Sequence, residues 1–449
     1  MQITPLESWI AKKIGLPNKH KLSMRALRTY QLARLNATLT HAAINSPFYR
    51  SRLTFEPLED LAELSGLPFT SSTDLVDQGL QMLAVSQSEI ERIVTLRSSG
   101  TTGQPKRLYF TREDLACTQD FFRCGMSQML KPGHRVLVLL PGDLPDSAGR
   151  LLADALALEN ISCHVAGVVT SPASVAKMLV EEHFDCVVGI PVQVLSVVRH
   201  PDAAQVPLNR IRSVFLTSDY VPAALVAEIR KTWGCPAINH YGMTELGLTG
   251  GVECQALAGY HLREPELYFE VIDPLSDVVL PVGEMGEVVV TTLTRTGMPL
   301  IRYRTGDLAR FIPEPCPCGS VLPRLSKLHG RLAGQIDIGG PFKLGMPELD
   351  EALFDLPDLI NFSATLASLD SGIFSFHLTI EARPGVEKRT RDNVDRRLPT
   401  IPALRAALAG GGLCLRPTSL ATQPLAVSAT AKRLIEKPEK ELFSLETIN

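Results

Sequence analysis

Residues 97–106 read Arg-Ser-Ser-Gly-Thr-Thr-Gly-Gln-Pro-Lys, a run of small, hydroxyl-bearing and glycine residues closed by a lysine. The apolar segment before it, residues 92–96, is typical of a β-strand, and residues 112–129 are helical in character. A loop between strand and helix can turn N–H groups and the positive helix terminus towards an anion. The spacing is not that of a Walker loop. Such runs also occur as plain surface loops, so the segment alone leaves both interpretations open.

Strand-like and helical segments alternate after this loop. The predicted strands are residues 135–140, 162–169, 185–190 and 213–217, and the predicted helices are residues 173–182, 192–199 and 223–232. This alternation predicts an α/β fold with an open, mostly parallel sheet and helices on both faces. Residues 267–274 and 286–292 instead predict antiparallel strands in a smaller β-rich part.

The predicted domain boundary follows residue 331, where the composition loosens into glycine pairs and a proline-dotted stretch. We expect a large N-terminal domain, residues 1–331, whose β-rich part covers about residues 250–331. Residues 332–449 then form a small, mobile α+β domain.

Composition narrows the class of protein. A net charge of −3 gives no general attraction to nucleic acid or to an anionic membrane. No apolar run approaches the ~18 residues of a membrane span, and the N-terminus lacks a signal-peptide layout. Nine cysteines, mostly in apolar surroundings, fit reduced thiols and a cytoplasmic location. The first fifty residues, with eight Lys/Arg and one acid, are either a basic arm or, as we favour, a helix packed on the main domain.

Three segments in order resemble motifs of the adenylate-forming superfamily, which contains acyl-CoA synthetases, peptide-synthetase adenylation domains and luciferases. They are residues 98–106, residues 239–245 (Asn-His-Tyr-Gly-Met-Thr-Glu) and residues 303–307 (Tyr-Arg-Thr-Gly-Asp). The resemblance implies that ATP and Mg²⁺ activate a carboxylic acid as an acyl-adenylate, which CoA then captures as a thioester. No nucleic-acid or membrane partner is implied. The oligomeric state stays open, with a homodimer as one alternative.

The resemblance also implies roles for individual residues. Glu245 offers a hard carboxylate to Mg²⁺, Thr244 can donate to the α-phosphate, and Asp307 can accept both ribose hydroxyls. Tyr241 can lie flat on adenine. Taken singly, Asp307 could be a turn residue and Glu245 an acid in a first helical turn. The nucleotide-binding set implied is Ser98, Ser99, Gly100, Thr101, Thr102, Gly103, Lys106, Thr217, Ser218, Asp219, Asn239, His240, Tyr241, Gly242, Met243, Asp307 and Arg331.

Four residues form a candidate zinc site: Cys254, His261, Cys316 and Cys318. Three thiolates and an imidazole suit a closed tetrahedral Zn²⁺ site that joins two distant segments. Free cysteines and an ordinary histidine are the alternative. The phenylacetate–CoA ligase and coenzyme F390 synthetase branch resembles the chain here and at residues 46–50, 67–70 and 293–304. Several of its members carry such a zinc set, so the resemblance favours metal.

Two departures from the superfamily pattern concern catalysis. The hinge pair Gly330-Arg331 is followed by Ala333 where a carboxylate is usual. Near the C-terminus, Thr430 aligns with the superfamily's catalytic lysine, and Lys432 lies two residues later. Lys432 either replaces that lysine, so that it acts with Thr244 and Glu245, or is a surface cation. The leading hypothesis is an acyl- or aryl-CoA ligase. Adenylyl transfer without CoA and a nucleotide-binding regulatory protein are the alternatives.

Overall fold

The computed structural model describes residues 2–17, 20–53, 56–96, 105–369, 372–425 and 433–437. Its α-helices are α1 Pro5–Lys13, α2 Met24–Asn45, α3 Pro47–Arg50, α4 Ser72–Gln78, α5 Arg112–Met126, α6 Ala148–Ala157, α7 Pro172–Glu181, α8 Pro191–Val198, α9 Ala223–Trp233, α10 Met346–Leu353, α11 Glu387–Arg397 and α12 Pro402–Ala409.

Its strands are short, as expected where turns and loops carry much of the chain. They are β1 Ile90–Leu96, β2 Lys106–Thr111, β3 Arg135–Leu139, β4 Ser162–Val165, β5 Cys186–Gly189, β6 Ser213–Leu216, β7 Ala237–Tyr241, β8 Gly251–Glu253, β9 Tyr260–Leu262, β10 Leu267–Ile272, β11 Gly286–Thr292, β12 Tyr303–Ala309, β13 Phe311–Ile312, β14 Arg324–Leu325, β15 Gly330–Arg331, β16 Ile336–Asp337, β17 Lys343–Leu344, β18 Leu359–Ser368, β19 Phe374–Ala382, β20 Leu413–Leu415 and β21 Ser419–Leu420.

The central sheet has nine strands in the order β13-β14-β9-β8-β7-β6-β5-β3-β4. Strands β4, β3, β5, β6 and β7 are parallel, whereas β8, β9, β14 and β13 continue the sheet in antiparallel fashion. The predicted α/β fold is therefore confirmed. The parallel strands β3, β5 and β6 are almost wholly buried, which explains their continuous apolar sequences.

The β-rich part contains a second sheet in the order β10-β11-β12-β15, all antiparallel. The two strands predicted at residues 267–274 and 286–292 are its neighbours β10 and β11. This sheet carries the Tyr-Arg-Thr-Gly-Asp motif on β12 and places β15 beside it, so that Asp307 pairs in register with Arg331.

One local prediction is wrong. Strand β2 lies between the serine- and glycine-rich loop and helix α5, and it pairs antiparallel with β1. The loop therefore joins two strands of a hairpin, and α5 begins only after Thr111, whose side chain caps it. The positive end of α5 does not follow the loop directly, so anion binding by that helix terminus has no support in the structure.

The N-terminal helices pack on the main body of the protein. Helix α2 buries Leu27, Leu35 and Leu39, and its Gln31 donates a hydrogen bond to the Glu264 carbonyl at 3.0 Å. This confirms the packed-helix interpretation of the basic N-terminus. Within the described residues, no helix is both long and apolar enough to cross a bilayer.

The chain beyond residue 332 forms a separate sheet of β18, β19, β20 and β21 with helices α10, α11 and α12. Strands β18 and β19 form a long antiparallel pair, and β20 and β21 both add to β19 in parallel. The predicted α+β content of this region agrees with these elements, whereas its independent mobility stays a prediction.

Candidate active site and metal centre

The carboxyl ends of β6 and β7 open onto one cavity. Ligands of open α/β sheets bind at this edge, where the strands run into loops. The backbone here is unusual, because Ser218 has a φ of 77°, a left-handed conformation that non-glycine residues rarely adopt. The cavity brings together six residues of the nucleotide-binding set, namely Ser218, Asp219, Asn239, His240, Tyr241 and Gly242.

The turn after β7 requires glycine at position 242. A Cβ there would lie 1.9 Å from the Leu248 carbonyl oxygen, so no side chain fits without movement of the backbone. The Met243 carbonyl accepts hydrogen bonds from the backbone N–H groups of Leu246 and Leu248. These contacts close the loop that carries Thr244 and Glu245, and Thr244 is half-buried at the start of a short 3-10 turn.

Asp307 lies at the centre of a buried polar cluster and is fully inaccessible to solvent. Its Oδ2 accepts a hydrogen bond from the Tyr241 hydroxyl at 3.2 Å, and its Oδ1 accepts from Arg331 Nε at 2.6 Å. Desolvation opposes the charge of Arg331, but the Asp307 carboxylate outweighs it and raises the pKa of Arg331. Burial and the same carboxylate raise the pKa of Tyr241, which keeps the phenol protonated.

A second cluster surrounds Glu245, which is 4% exposed. Lys106 forms an ion pair with its carboxylate, and the Tyr303 hydroxyl donates to the same oxygen at 3.2 Å. Arg295 holds the backbone, because its guanidinium donates to the Glu245 carbonyl at 2.6 Å. The structure thus unites the predicted magnesium ligand with a predicted phosphate-contacting lysine. Tyr303 and Arg295 were missing from the predicted site, although Tyr303 stands in a recognised motif.

Several predicted residues lie outside the described residues. These are Ser98, Ser99, Gly100, Thr101, Thr102 and Gly103 of the loop, together with Thr430 and Lys432. Arg433, the residue after Lys432, is described and 13% exposed. It donates to Asp350 at 2.6 Å and stacks on Phe354 and Phe362.

Arg433 also connects the chain terminus to the site. Together with Leu434 it lines a second cavity, whose other lining residues include Asp219, Tyr220 and Arg331. The described residue next to Lys432 is therefore held beside residues of the nucleotide-binding set.

Cys254, His261, Cys316 and Cys318 converge in the β-rich part, and all four are buried. Their ligand atoms lie within 4.8 Å of one another. The Cys254 and Cys316 sulfurs are 3.6 Å apart, and so are Cys318 Sγ and His261 Nε2. A tetrahedral ion with Zn–S bonds of about 2.3 Å requires sulfurs about 3.8 Å apart, so these four residues fit a zinc ion.

The cysteine cluster is connected to the nucleotide cavity through Glu253. This residue precedes Cys254 on β8, and its Oε2 accepts a hydrogen bond from the Asn239 backbone N–H at 3.0 Å. Glu253 is 1% exposed, and burial raises the pKa of its carboxyl. Glu253 therefore links the strand that leads into the cluster to Asn239, which lines the cavity.

The C-terminal region docks onto the main body through Arg199, which is 2% exposed. Its guanidinium donates to the carbonyls of Leu356 at 3.0 Å, Phe354 at 2.5 Å and Leu359. Glu351 adds a second contact, because it accepts from the Tyr220 hydroxyl at 2.8 Å. Neither residue was predicted. The sequence shows an arginine at the end of an apolar helix, but it does not show which groups that arginine contacts.

Comparison with known proteins fits this geometry. Residues 87–294 match the family model described as AMP-binding enzyme. A phenylacetate–coenzyme A ligase of Aromatoleum evansii is 30% identical over 339 residues, which cover 71% of this chain and 74% of that protein. The chain belongs to the phenylacetate–coenzyme A ligase family. A second member, from Thermus thermophilus, is 27% identical, and the match covers 77% of this chain and 79% of that protein.

Solved structures agree with this family in fold. A 2-hydroxyisobutyryl-CoA ligase in the postadenylation state has a TM-score of 0.77 at 19% identity, and the match covers 95% of this chain and 94% of that one. The same enzyme with CoA in its thioesterification state has a TM-score of 0.65, with 93% and 91% coverage. The likeness extends over the C-terminal region as well, so the fold shared with that ligase covers nearly the whole chain.

Proposed function

We propose that this protein is an AMP-forming acid–CoA ligase that acts on an aromatic acid of the phenylacetate kind. Family membership supports the reaction class. The observation that carries the proposal is the contact between residues 239–245 and 303–307, which are distant in sequence. Tyr241 donates to Asp307 and Tyr303 donates to Glu245, and residues 239–242 line the cavity at the carboxyl edge of the parallel strands. In the first half-reaction the carboxylate attacks the α-phosphate of ATP and pyrophosphate leaves. In the second, the CoA thiolate displaces AMP.

Glu245 and Lys106 are suited to the triphosphate. Glu245 would hold Mg²⁺, which neutralises phosphate charge and so permits attack by an anionic acid. Lys106 forms an ion pair with the Glu245 carboxylate in this structure. When Mg²⁺ binds Glu245, the Lys106 ammonium group can pair with a phosphate instead. Thr244 begins the adjacent turn, where its hydroxyl can donate to the α-phosphate.

Asp307, Arg331 and Tyr241 are suited to the nucleoside. An ionised aspartate only accepts hydrogen bonds, so Asp307 would accept those of the ribose hydroxyls. Asn239, Thr217, Ser218 and Asp219 would surround the base. Because Asp307 already holds both Tyr241 and Arg331, its orientation is fixed before ATP binds.

Three further assignments belong to the proposal. Lys432 would approach the carboxylate and the α-phosphate, supported by the anchored position of Arg433 beside Asp219 and Arg331. The region from residue 332 would act as a mobile domain, with residues 1–331 as the adenylation domain. Cys254, His261, Cys316 and Cys318 would hold a structural zinc, since all four ligands come from the protein and no position is left for substrate.

The test is acid-dependent ATP–pyrophosphate exchange with a panel of aryl, arylacetic and aliphatic acids, followed by detection of the CoA thioester. Glu245→Gln is expected to lower exchange roughly 100-fold or more, because it removes a transition-state charge contact. Glu264→Gln is the matched control. Glu264 is also a buried glutamate, and burial raises its pKa to about 8, so the amide resembles the form present at neutral pH.

The outcomes separate the candidate functions. Exchange without thioester, with AMP joined to an acceptor, would indicate adenylyl transfer instead of CoA ligation. Tight ATP binding without exchange for any acid, unaltered by Lys432→Ala, would indicate a nucleotide-binding regulatory protein. Equal exchange by wild type and Glu245→Gln would refute the role given to Glu245.

A further inference from the structure

His240 carries a buried polar atom that the proposed nucleotide contacts do not use. The residue is 6% exposed, and its Nδ1 lies 2.9 Å from Thr217 Oγ1. Its Nε2 is buried and has no hydrogen-bond partner within the described part of the chain. Burial lowers the pKa of His240 to about 3, so the ring is neutral at physiological pH. Buried polar atoms are rarely left unbonded, so Nε2 needs a partner beyond the described residues, which a bound ligand can supply.

Aromatic side chains surround this imidazole. The ring centroids of Phe215, Phe121 and Phe122 lie 5.3, 6.5 and 6.4 Å from it. The Cε1 edge faces the turn after β7, where a Cβ built on Gly242 would lie 2.8 Å away. His240 also lines the cavity at the carboxyl edge of the sheet. A ligand portion that reaches Nε2 from this cavity would therefore lie beside phenyl rings.

The two faces of β7 offer separate places for the two halves of an acyl-adenylate. Side chains alternate along a strand, so Tyr241 and His240 point to opposite faces of the sheet. Tyr241 reaches Asp307 on one face, which is the side assigned to the nucleoside. His240 lies on the other face against helix α5. The acyl half, joined to AMP at the α-phosphate, is then directed towards His240.

We propose that His240 hydrogen-bonds a hydroxyl group on the ring of the aromatic acid and so determines which acid is activated. A hydroxyl fits either tautomer of the imidazole, because it can both donate and accept a hydrogen bond. A charged substituent is disfavoured, because three phenyl rings would surround it. The inference rests on the proposed ligase function and narrows its substrate class to hydroxyaryl acids.

The experiment compares matched acids in ATP–pyrophosphate exchange: phenylacetate with its 3-hydroxy, 4-hydroxy and 4-fluoro forms, and benzoate with the same three substitutions. The wild-type protein is expected to favour one hydroxylated acid over its parent by about 10- to 100-fold in kcat/KM. The fluoro acids show the effect of a ring substituent that cannot donate a hydrogen bond. Ratios are measured on one preparation, so the active fraction cancels.

His240→Leu is expected to bring that ratio close to 1, because only the hydroxylated acid loses a hydrogen bond. His240→Gln keeps a polar end and should retain part of the preference. His164→Leu is the control, since His164 also packs against a phenylalanine, Phe184, at a distant strand. His164→Leu should keep the wild-type ratio.

Two results overturn the inference in different ways. If the wild type activates acids but no hydroxylated acid exceeds its parent, or if His240→Leu keeps the ratio, His240 is a structural histidine and the ligase function stands. If no acid supports exchange at all, the proposed function fails and the inference fails with it.

Discussion

Replacement of Cys316 by serine tests the metal centre with a single atom exchanged. A serine hydroxyl stays protonated at neutral pH and is a poor ligand for zinc, so three ligands remain. Changes in residues that only support metal ligands already cost 10- to 100-fold in affinity, so loss of a ligand should cost at least about 100-fold. We expect the wild type to be purified with one zinc per chain and the variant with much less.

The cost in stability follows from mass action. Zinc at 1,000 times its dissociation constant stabilises the folded state by about 4.1 kcal/mol, and a 100-fold weaker site loses about 2.7 kcal/mol of this. An unfolding entropy of about 2.1 cal/mol/K per residue converts that loss to about 4 °C for a unit of roughly 330 residues. Thermal unfolding is measured with and without a chelator, and metal content by elemental analysis.

The control is Cys235→Ser, because Cys235 is also buried but lies outside the four-residue cluster. The Cys235→Ser variant should still bind zinc, and a chelator should still lower its Tm, even if the substitution itself changes the Tm. Cys316→Ser should show little or no chelator-dependent drop. The zinc interpretation is refuted if wild-type protein grown with added zinc contains none and the chelator leaves its Tm unchanged.

Three further predictions concern the site and the domain contact. Gly242→Ala should destabilise the protein by about 1–3 kcal/mol, because the added methyl group collides with a backbone carbonyl. It should also abolish ATP binding, measured by calorimetry. In the control Gly66→Ala the methyl group contacts nothing, so stability and ATP binding should be unchanged. Asp307→Asn should raise KM for ATP about 10-fold or more, because Arg331 loses its ionic partner; an unaltered KM would remove Asp307 from the nucleotide site. Arg199→Met should speed amide hydrogen exchange in helix α10, since each buried carbonyl left unpaired costs about 1–3 kcal/mol. Unchanged exchange would show that other contacts hold the C-terminal region on the main body.

The regular part of the α/β region was predictable because a strand buried on both faces has a continuous apolar sequence. Strands β3, β5 and β6 are runs of apolar residues, and Ser171 before a proline marks the start of α7, whose N-terminus it caps. Strand β2 was missed for the opposite reason. Its sequence, Lys-Arg-Leu-Tyr-Phe-Thr, begins with two charged residues and passes directly into a helix. Only the pairing with β1 makes it a strand, and such a partner cannot be read from a local pattern.

The candidate site was predictable as a set of residue types but not as a set of contacts. Motif order identified Glu245 and Asp307, yet the ion pair with Lys106 spans 139 positions and depends on the folded chain. Arg295 acts on a carbonyl, which every residue possesses, so nothing in the sequence marks its partner. Spacing could suggest the cysteine cluster, but only the fold brings Cys254 within 3.6 Å of Cys316.

The contact of Arg199 also bears on the alanine at the hinge. Ala333 follows Gly330-Arg331 in a short 3-10 turn and has no charge with which to fix the C-terminal region. Arg199 and Glu351 make polar contacts across the same junction, and the Arg199 guanidinium reaches three carbonyls just after α10. Any rotation of that region for thioester formation must break these contacts. We therefore propose that these contacts, and not a residue at position 333, hold the C-terminal region in its present orientation.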